Sequence, residues 1–334
     1  MKLKILGLAF LFFQVTNAQD ITLQKKPIHF SVVHYISNHS SESSNNSYLF
    51  SFNLLTGKIG SINGFEISGL YNQNTQNMFG LQISGLLNNT KNKVRGVQIA
   101  GLSNFSGETL GIQYAGISNI SNNFNGIQTS GIVNIAKDLK GIQISGIYNQ
   151  VKKLNGLQIS LVNVVDSIQN GGTIGLINIV KKGGYREWEI SMSDFQNIGL
   201  SYKTGGKHIY SILNAGYNFS SDPLMVYGLG IGSILDINPK WKFRPELIWL
   251  TYFDDSFKSN PSTNSAHLKF GLMRKLNDKM AITFMPSVFM SYKEKNEASY
   301  GYETTKLKSF SSKSNTESLR EIGFGLGIGL SFLK

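Results

Sequence analysis

The stretch "GLQISGLLN", Gly80 to Asn88, returns along the first half of the chain as "GVQIAGLSN" from Gly96 to Asn104, "GIQYAGISN" from Gly111 to Asn119, "GIQTSGIVN" from Gly126 to Asn134 and "GIQISGIYN" from Gly141 to Asn149. An earlier copy opens at Gly64, carries Glu66 where the others have Gln, and reaches Asn72. A seventh, "GLQISLVNVV" from Gly156, has lost its second glycine, so Asn163 comes one place early. The leading glycines are spaced 16, 16, 15, 15, 15 and 15 residues, and Gln82, Gln98, Gln113, Gln128, Gln143 and Gln158 each follow theirs by two. A degenerate eighth unit, "GLINIV", keeps Gly175 and Asn178. This is an internal repeat, and atypical end units are what a stack of repeats needs as caps.

A period of about 15 is too short for helix-pair repeats and lacks their 3.6-residue pattern, which leaves extended structure. If each unit is one rung of a β-solenoid, equivalent residues stack about 4.8 Å apart. Gln then sits on Gln and Asn on Asn, hydrogen-bonding along the stack. Glycine supplies positive φ or close approach at the corners. Leu81 and Leu86, with a later residue such as Val94 or Leu139, are expected to fill a thin core. The rival reading makes each phrase an antiparallel membrane strand, with Leu81 and Ile83 facing lipid and Gln82, Ser84 and Asn88 facing a lumen. Nine residues just meet the roughly 9 to 11 such a strand needs. The solenoid is favoured, because a barrel wall gives no reason to repeat Gln and Asn at fixed places.

The chain begins "MKLKILGLAFLFFQVTNAQD": Lys2 and Lys4, an apolar run from Ile5 to Phe13, and small residues up to Ala18. That is the pattern of a secretory signal peptide over 1–18. Its removal takes the formal net charge from +12 to +10 by loss of those two lysines. There is no cysteine, which excludes a disulfide framework, zinc ribbons and thiol chemistry. The basic excess suits anionic headgroups or acidic surface polymers. Nothing resembles a nucleic-acid module, so no nucleic acid is expected as a partner.

Beyond Tyr185 the pattern changes to longer segments of period two. "EIGFGLGIGLSFLK" puts Ile322, Phe324, Leu326, Ile328, Leu330 and Phe332 on one face and glycines with Ser331 on the other. Lys240 to Phe253 sets Trp241, Phe243, Leu247, Trp249 and Phe253 against Lys242, Arg244 and Glu246, which make a candidate lumen lining. Apolar outside and polar or small inside is the signature of a transmembrane β-barrel strand. Eight such segments follow the repeats: 187–194, 195–202, 208–219, 225–237, 240–253, 267–276, 280–292 and 321–334. "KTGGK", "NP" and "NDK" read as tight turns, whereas 293–320 reads as a long polar loop without a strand pattern. Two further segments, "IHFSVVHYIS" and "SYLFSFNLL", precede the repeats and are expected to complete a ten-stranded barrel.

With those motifs in place, the chain resembles the surface-repeat outer-membrane proteins of diderm bacteria, whose "GhQhxGLxN" units precede a β-rich C-terminal region. The resemblance covers roughly residues 48 to 334, including "NLLTG", "GLINIV" and "SYKTGGKHIYSILNAGYNF". It implies a surface or outer-membrane location and no established activity, so it transfers no functional residues. The chain departs from barrel practice at its end, where Phe332 is followed by Leu333 and Lys334.

The expected organisation is therefore all-β: signal peptide 1–18, N-terminal barrel strands 19–58, a Gly/Asn repeat array 59–182, and C-terminal antiparallel barrel strands 183–334. His29, His34, His39, His208 and His267 show no metal-ligand spacing, and no GxSxG, phosphate loop or dinucleotide fingerprint occurs. His208 with Ser211 lies on one strand, on opposite faces, and makes no dyad. No enzyme, metal or cofactor is expected. Two function classes follow. An anchored array would offer a flat Gln/Asn-lined surface to an envelope polymer or partner protein, with outer-membrane lipid around the barrel. A channel would pass small solutes beside Lys242, Arg244 and Glu246, and becomes credible if the repeats are wall strands.

Overall fold

The computed structural model describes residues 23–219, 223–254, 263–294, 308–314 and 318–333. The signal-peptide segment and most of the long polar loops lie outside the described residues.

Residues 24–182 form a parallel solenoid, and residues 184–333 form a closed antiparallel barrel of eight strands. In the solenoid each unit pairs in register with its own copy: Gly111 faces Gly126, Gln113 faces Gln128 and Asn119 faces Asn134. The pairing is parallel from Gln24–Val33 through Ile177–Lys182, so the wall-strand reading fails. The missing glycine of the seventh unit is absorbed without loss of the ladder, since Asn149 still faces Asn163. One extra residue between Ile168 and Asn170 then restores the phase. In the eighth rung the residue facing Gly156 is Gly171, so the leading place belongs to Gly171 and not to Gly175.

The leading glycines from Gly80 to Gly171 have φ between +89° and +147°. A Cβ there would be strained by its conformation and would also collide with the carbonyl oxygen of the leading glycine one rung earlier. Two independent demands thus fix the residue, and the corner repeats because each rung must nest on the last.

The two N-terminal segments belong to this solenoid and not to the barrel. Gln24–Val33 pairs parallel with Asn46–Asn53, which pairs parallel with Ser61–Ser68. Their outward Phe30, Phe52 and Ile67 continue one column of the repeat, so they are degenerate first rungs. The barrel accordingly has eight strands rather than ten.

Those eight match the eight segments of period two. They are Gly184–Ser193, Gln196–Gly206, Tyr210–Asn218, Leu224–Gly232, Trp241–Asp254 and Thr263–Lys275, followed by two strands each broken once. One breaks between Met280–Phe284 and Ser287–Glu294, at Met285 and Pro286, where proline has no N–H to give the ladder. The other breaks at Leu326, between Ser318–Gly325 and Gly327–Leu333. Gly184–Ser193 pairs with Gly327–Leu333 and closes the ring. Within the segment expected to be loop, Lys308–Ser314 is a strand paired with Ser318–Gly325.

Candidate functional site

Strand parity puts the repeated polar residues inside the solenoid. Gln82, Gln98, Gln113, Gln128, Gln143 and Gln158 are fully buried, as are Asn72, Asn88, Asn104, Asn119, Asn134, Asn149 and Asn163. Each Gln Nε2 donates to the side-chain oxygen of the preceding rung, as Gln98 to Gln82 and Gln113 to Gln98, both at 2.7 Å. This ladder ends on a residue that must only accept. That residue is Glu66, whose Oε2 receives Gln82 Nε2 at 2.8 Å.

The asparagines run the other way. Asn88 Nδ2 donates to Asn104 Oδ1 of the next rung at 2.9 Å and to the Ile99 carbonyl at 2.8 Å. Asn104, Asn119 and Asn134 repeat both bonds, so each amide spends its two donors on a neighbour and on a corner carbonyl. Two amide stacks of opposite polarity fill the interior. The apolar core is confined to one corner, with Val94 in one cluster and Leu139 in another.

Two expectations are therefore corrected. Leu81 is partly exposed, turned outward by alternation with buried Gln82, and Leu86 is 38% exposed because it sits on the bend at 85–86, where the alternation is broken; neither is core. The flat Gln/Asn-lined surface does not exist, since those side chains face one another and not solvent.

The barrel interior is also polar and also filled. Arg244 bonds Glu187 at 2.7 Å and Glu189, while Lys203 lies 3.0 Å from Glu189 and 2.7 Å from Glu246. Tyr210 adds an O–H to Glu246 at 2.8 Å, and Ser331 one to Glu187 at 2.8 Å. Lys269, buried nearby, stands over the Phe195 ring at 4.7 Å. Three carboxylates thus face three cations, and the site carries no formal net charge. Space for them comes from the bare glycine face: a Cβ on Gly329 would press on the Glu189 carboxylate. Phe195, Ile212, Leu224, Val226, Ile248 and Leu250 form a buried apolar cluster of their own.

Arg244 and Glu246 point inward as their parity requires. Lys242 does not join them; it pairs with Asp236 at the rim, and Lys207 pairs with the same carboxylate at 2.5 Å. Bonds from Lys207 and Lys242 hold the Asp236 carboxyl well below its usual range. Glu187, Glu189, Lys203 and Lys269 escaped the sequence reading. Their signal was present, since each occupies the inward parity of a strand whose alternate positions are apolar.

His267 contacts Ser265 at 2.8 Å, but it is fully buried between the Phe195 and Phe289 rings and meets no carboxylate. Among the described residues no group of three His, Asp or Glu side chains is placed to hold a metal ion.

Both bodies expose large apolar side chains. On the barrel, Trp188, Leu229, Trp249, Phe270, Phe284 and Phe324 project outward. The last solenoid rung is fastened to this same outer wall. Gly175 N–H donates to Ser211 Oγ at 2.9 Å, Thr204 Oγ1 donates to the Asn178 carbonyl at 3.2 Å, and Arg186 donates to the Val180 carbonyl at 3.1 Å. Arg186, Thr204 and Ser211 pair across adjacent strands and share the face opposite Glu187, Lys203 and Ile212. The "KTGGK" turn serves this junction: a side chain on Gly206 would collide with Gly171 and Gly172.

Comparison with protein-family models, characterised proteins and solved structures gives no match for this chain.

Proposed function

We propose that the chain is an outer-membrane β-barrel protein of a diderm envelope, exported by its 1–18 segment, in which the barrel anchors the repeat solenoid for a structural and non-enzymatic role. The observation that carries this reading is the polarity of the barrel. Its eight strands turn Trp, Phe, Leu and Ile outward and keep a neutral cluster of six ionic groups within. In water that arrangement would expose apolar surface on every strand, whereas in lipid it is the expected one.

The filled interior counts against the channel alternative. Barrels of about eight strands hold side chains rather than an aqueous path, and here Arg244 and Glu246, the supposed lining, are consumed by partners. Binding of an envelope polymer through Gln and Asn also loses support, because those residues are inside the solenoid.

Heat modifiability tests the reading. Protein folded in detergent is expected to migrate differently on gels before and after boiling, and to give no steady conductance in planar bilayers. A single mobility, unaffected by boiling, argues against a detergent-solvated barrel. Stable openings would restore the channel.

A further inference from the structure

The solenoid is inverted in the same way as the barrel, and that inversion has a consequence for what surrounds it. A β-solenoid in water places aliphatic residues within and polar ones without. Here the amide ladders are inside, and the positions flanking them are aliphatic and outward. The corner column Leu102, Ile117, Ile132, Ile147, Leu161 and Leu176 is 38–54% exposed. Two more columns, those of Leu81 and Ile83, run beside it. At about 4.8 Å per rung these columns extend continuously over tens of ångströms, far beyond the apolar patches that soluble monomers expose.

Charge is segregated just as completely. From Lys91 to Lys182 there are nine Lys or Arg and three Asp or Glu, and none lies in a stretch from a leading glycine to its ladder asparagine. The solenoid therefore has one cationic side, net +6 by that count, apart from the aliphatic columns. The apolar columns also meet the barrel's outer face. The last rung is bonded to Arg186, and Trp188, two residues along the same outward column, is 50% exposed.

We infer that the solenoid lies in the bilayer beside the barrel, with its aliphatic columns against lipid acyl chains and its cationic side level with anionic headgroups. The inference rests on the membrane reading of the barrel and extends it to the repeats. It explains why the interior is built of amides. Backbone and side-chain polar groups in hydrocarbon must be satisfied internally, and the in-register ladders do this rung by rung. It also explains the seclusion of the lysines, since anionic headgroups attract basic residues held near the membrane surface.

The absence of native cysteine makes the test clean. Single variants Ile132→Cys on the corner column, Asn123→Cys on the charged side and Leu229→Cys on the barrel wall are labelled with a nitroxide in the full-length chain. Each is reconstituted in phosphatidylethanolamine–phosphatidylglycerol vesicles. Collision with oxygen, which concentrates in hydrocarbon, is compared with collision with a water-soluble nickel chelate. The expected oxygen-to-nickel ratio is high at 132 and 229 and low at 123, and Leu102→Cys should repeat the result at 132. If 229 is oxygen-accessible but 132 and 102 favour nickel, the solenoid stands in water; the inference fails while the barrel reading survives. If 132 and 102 are shielded from both probes, another protein surface or a second copy covers the columns, and the inference fails again. If 229 itself favours nickel, the membrane reading of the barrel falls first, and this inference with it.

Discussion

Along the solenoid's two amide ladders Gln meets Gln and Asn meets Asn, whereas across the barrel Arg244 meets Glu187 and Glu189, and Lys203 meets Glu246. Pairing geometry decides which polar groups each interior can hold. A parallel stack in register needs a side chain that donates and accepts at once, and only an amide does both well at that position. A carboxylate stacked on a carboxylate would repel it, so the one acid of the Gln column stands at its end, at Glu66. The antiparallel barrel offsets unlike residues and is free to neutralise charges pairwise. Both interiors are polar, yet one is uncharged by necessity and the other by cancellation.

The largest expected effect separates these two modes. Arg244→Met removes a partner from Glu187 and Glu189 while leaving both buried, which typically costs about 3–5 kcal/mol. The urea midpoint of the folded-to-unfolded gel transition should fall sharply. Lys242→Ala, at the rim beside half-exposed Asp236, should shift that midpoint by no more than the roughly 0–1 kcal/mol of surface pairs. Equal shifts would contradict the division between interior and rim.

A smaller effect belongs to the solenoid. Gln113→Leu breaks the Gln ladder at one rung, leaving Gln98 Oε1 and Gln128 Nε2 without their partners inside the solenoid, and should lower the same midpoint by about 1–3 kcal/mol. An unchanged midpoint would show that the ladder carries no stability.

The mildest change is removal of one whole rung. Deletion of Gly126 to Lys140 joins Leu110–Asn125 to Gly141 with every column intact, because all rungs run the same way round. The shortened chain should still assemble, with the barrel orientation unchanged when protease is added to intact cells. In an antiparallel wall one deletion would reverse every later strand, and only a double deletion to Asn155 would assemble.

Much of this architecture was legible in the sequence. The spacing of Gly64, Gly80 and Gly96 specifies a stack, and period two after Tyr185 delimits all eight barrel strands. The first rungs were not legible: "SYLFSFNLL" keeps an Asn, Asn53, but lacks the Gly and Gln of the repeat, and its alternation is the same in a barrel strand and in a solenoid rung. Nor was the inside-out sense of the repeat. Leu81 and Gln82 are neighbours on a strand, so parity says that they face opposite ways without saying which faces in. Only the closure of the rung around its amides decides that. The ionic cluster was half legible, because Arg244 and Glu246 lie on one strand, whereas Glu187, Glu189 and Lys203 reach them from strands about 40 to 60 residues away.

The central claim is that both bodies turn apolar faces outward because lipid surrounds them. Fractionation of cells producing the full chain, followed by an alkaline wash of the membranes, tests it most directly. The protein is expected to remain in the outer-membrane pellet and to need detergent for release; recovery from the soluble periplasmic fraction without detergent would contradict the claim.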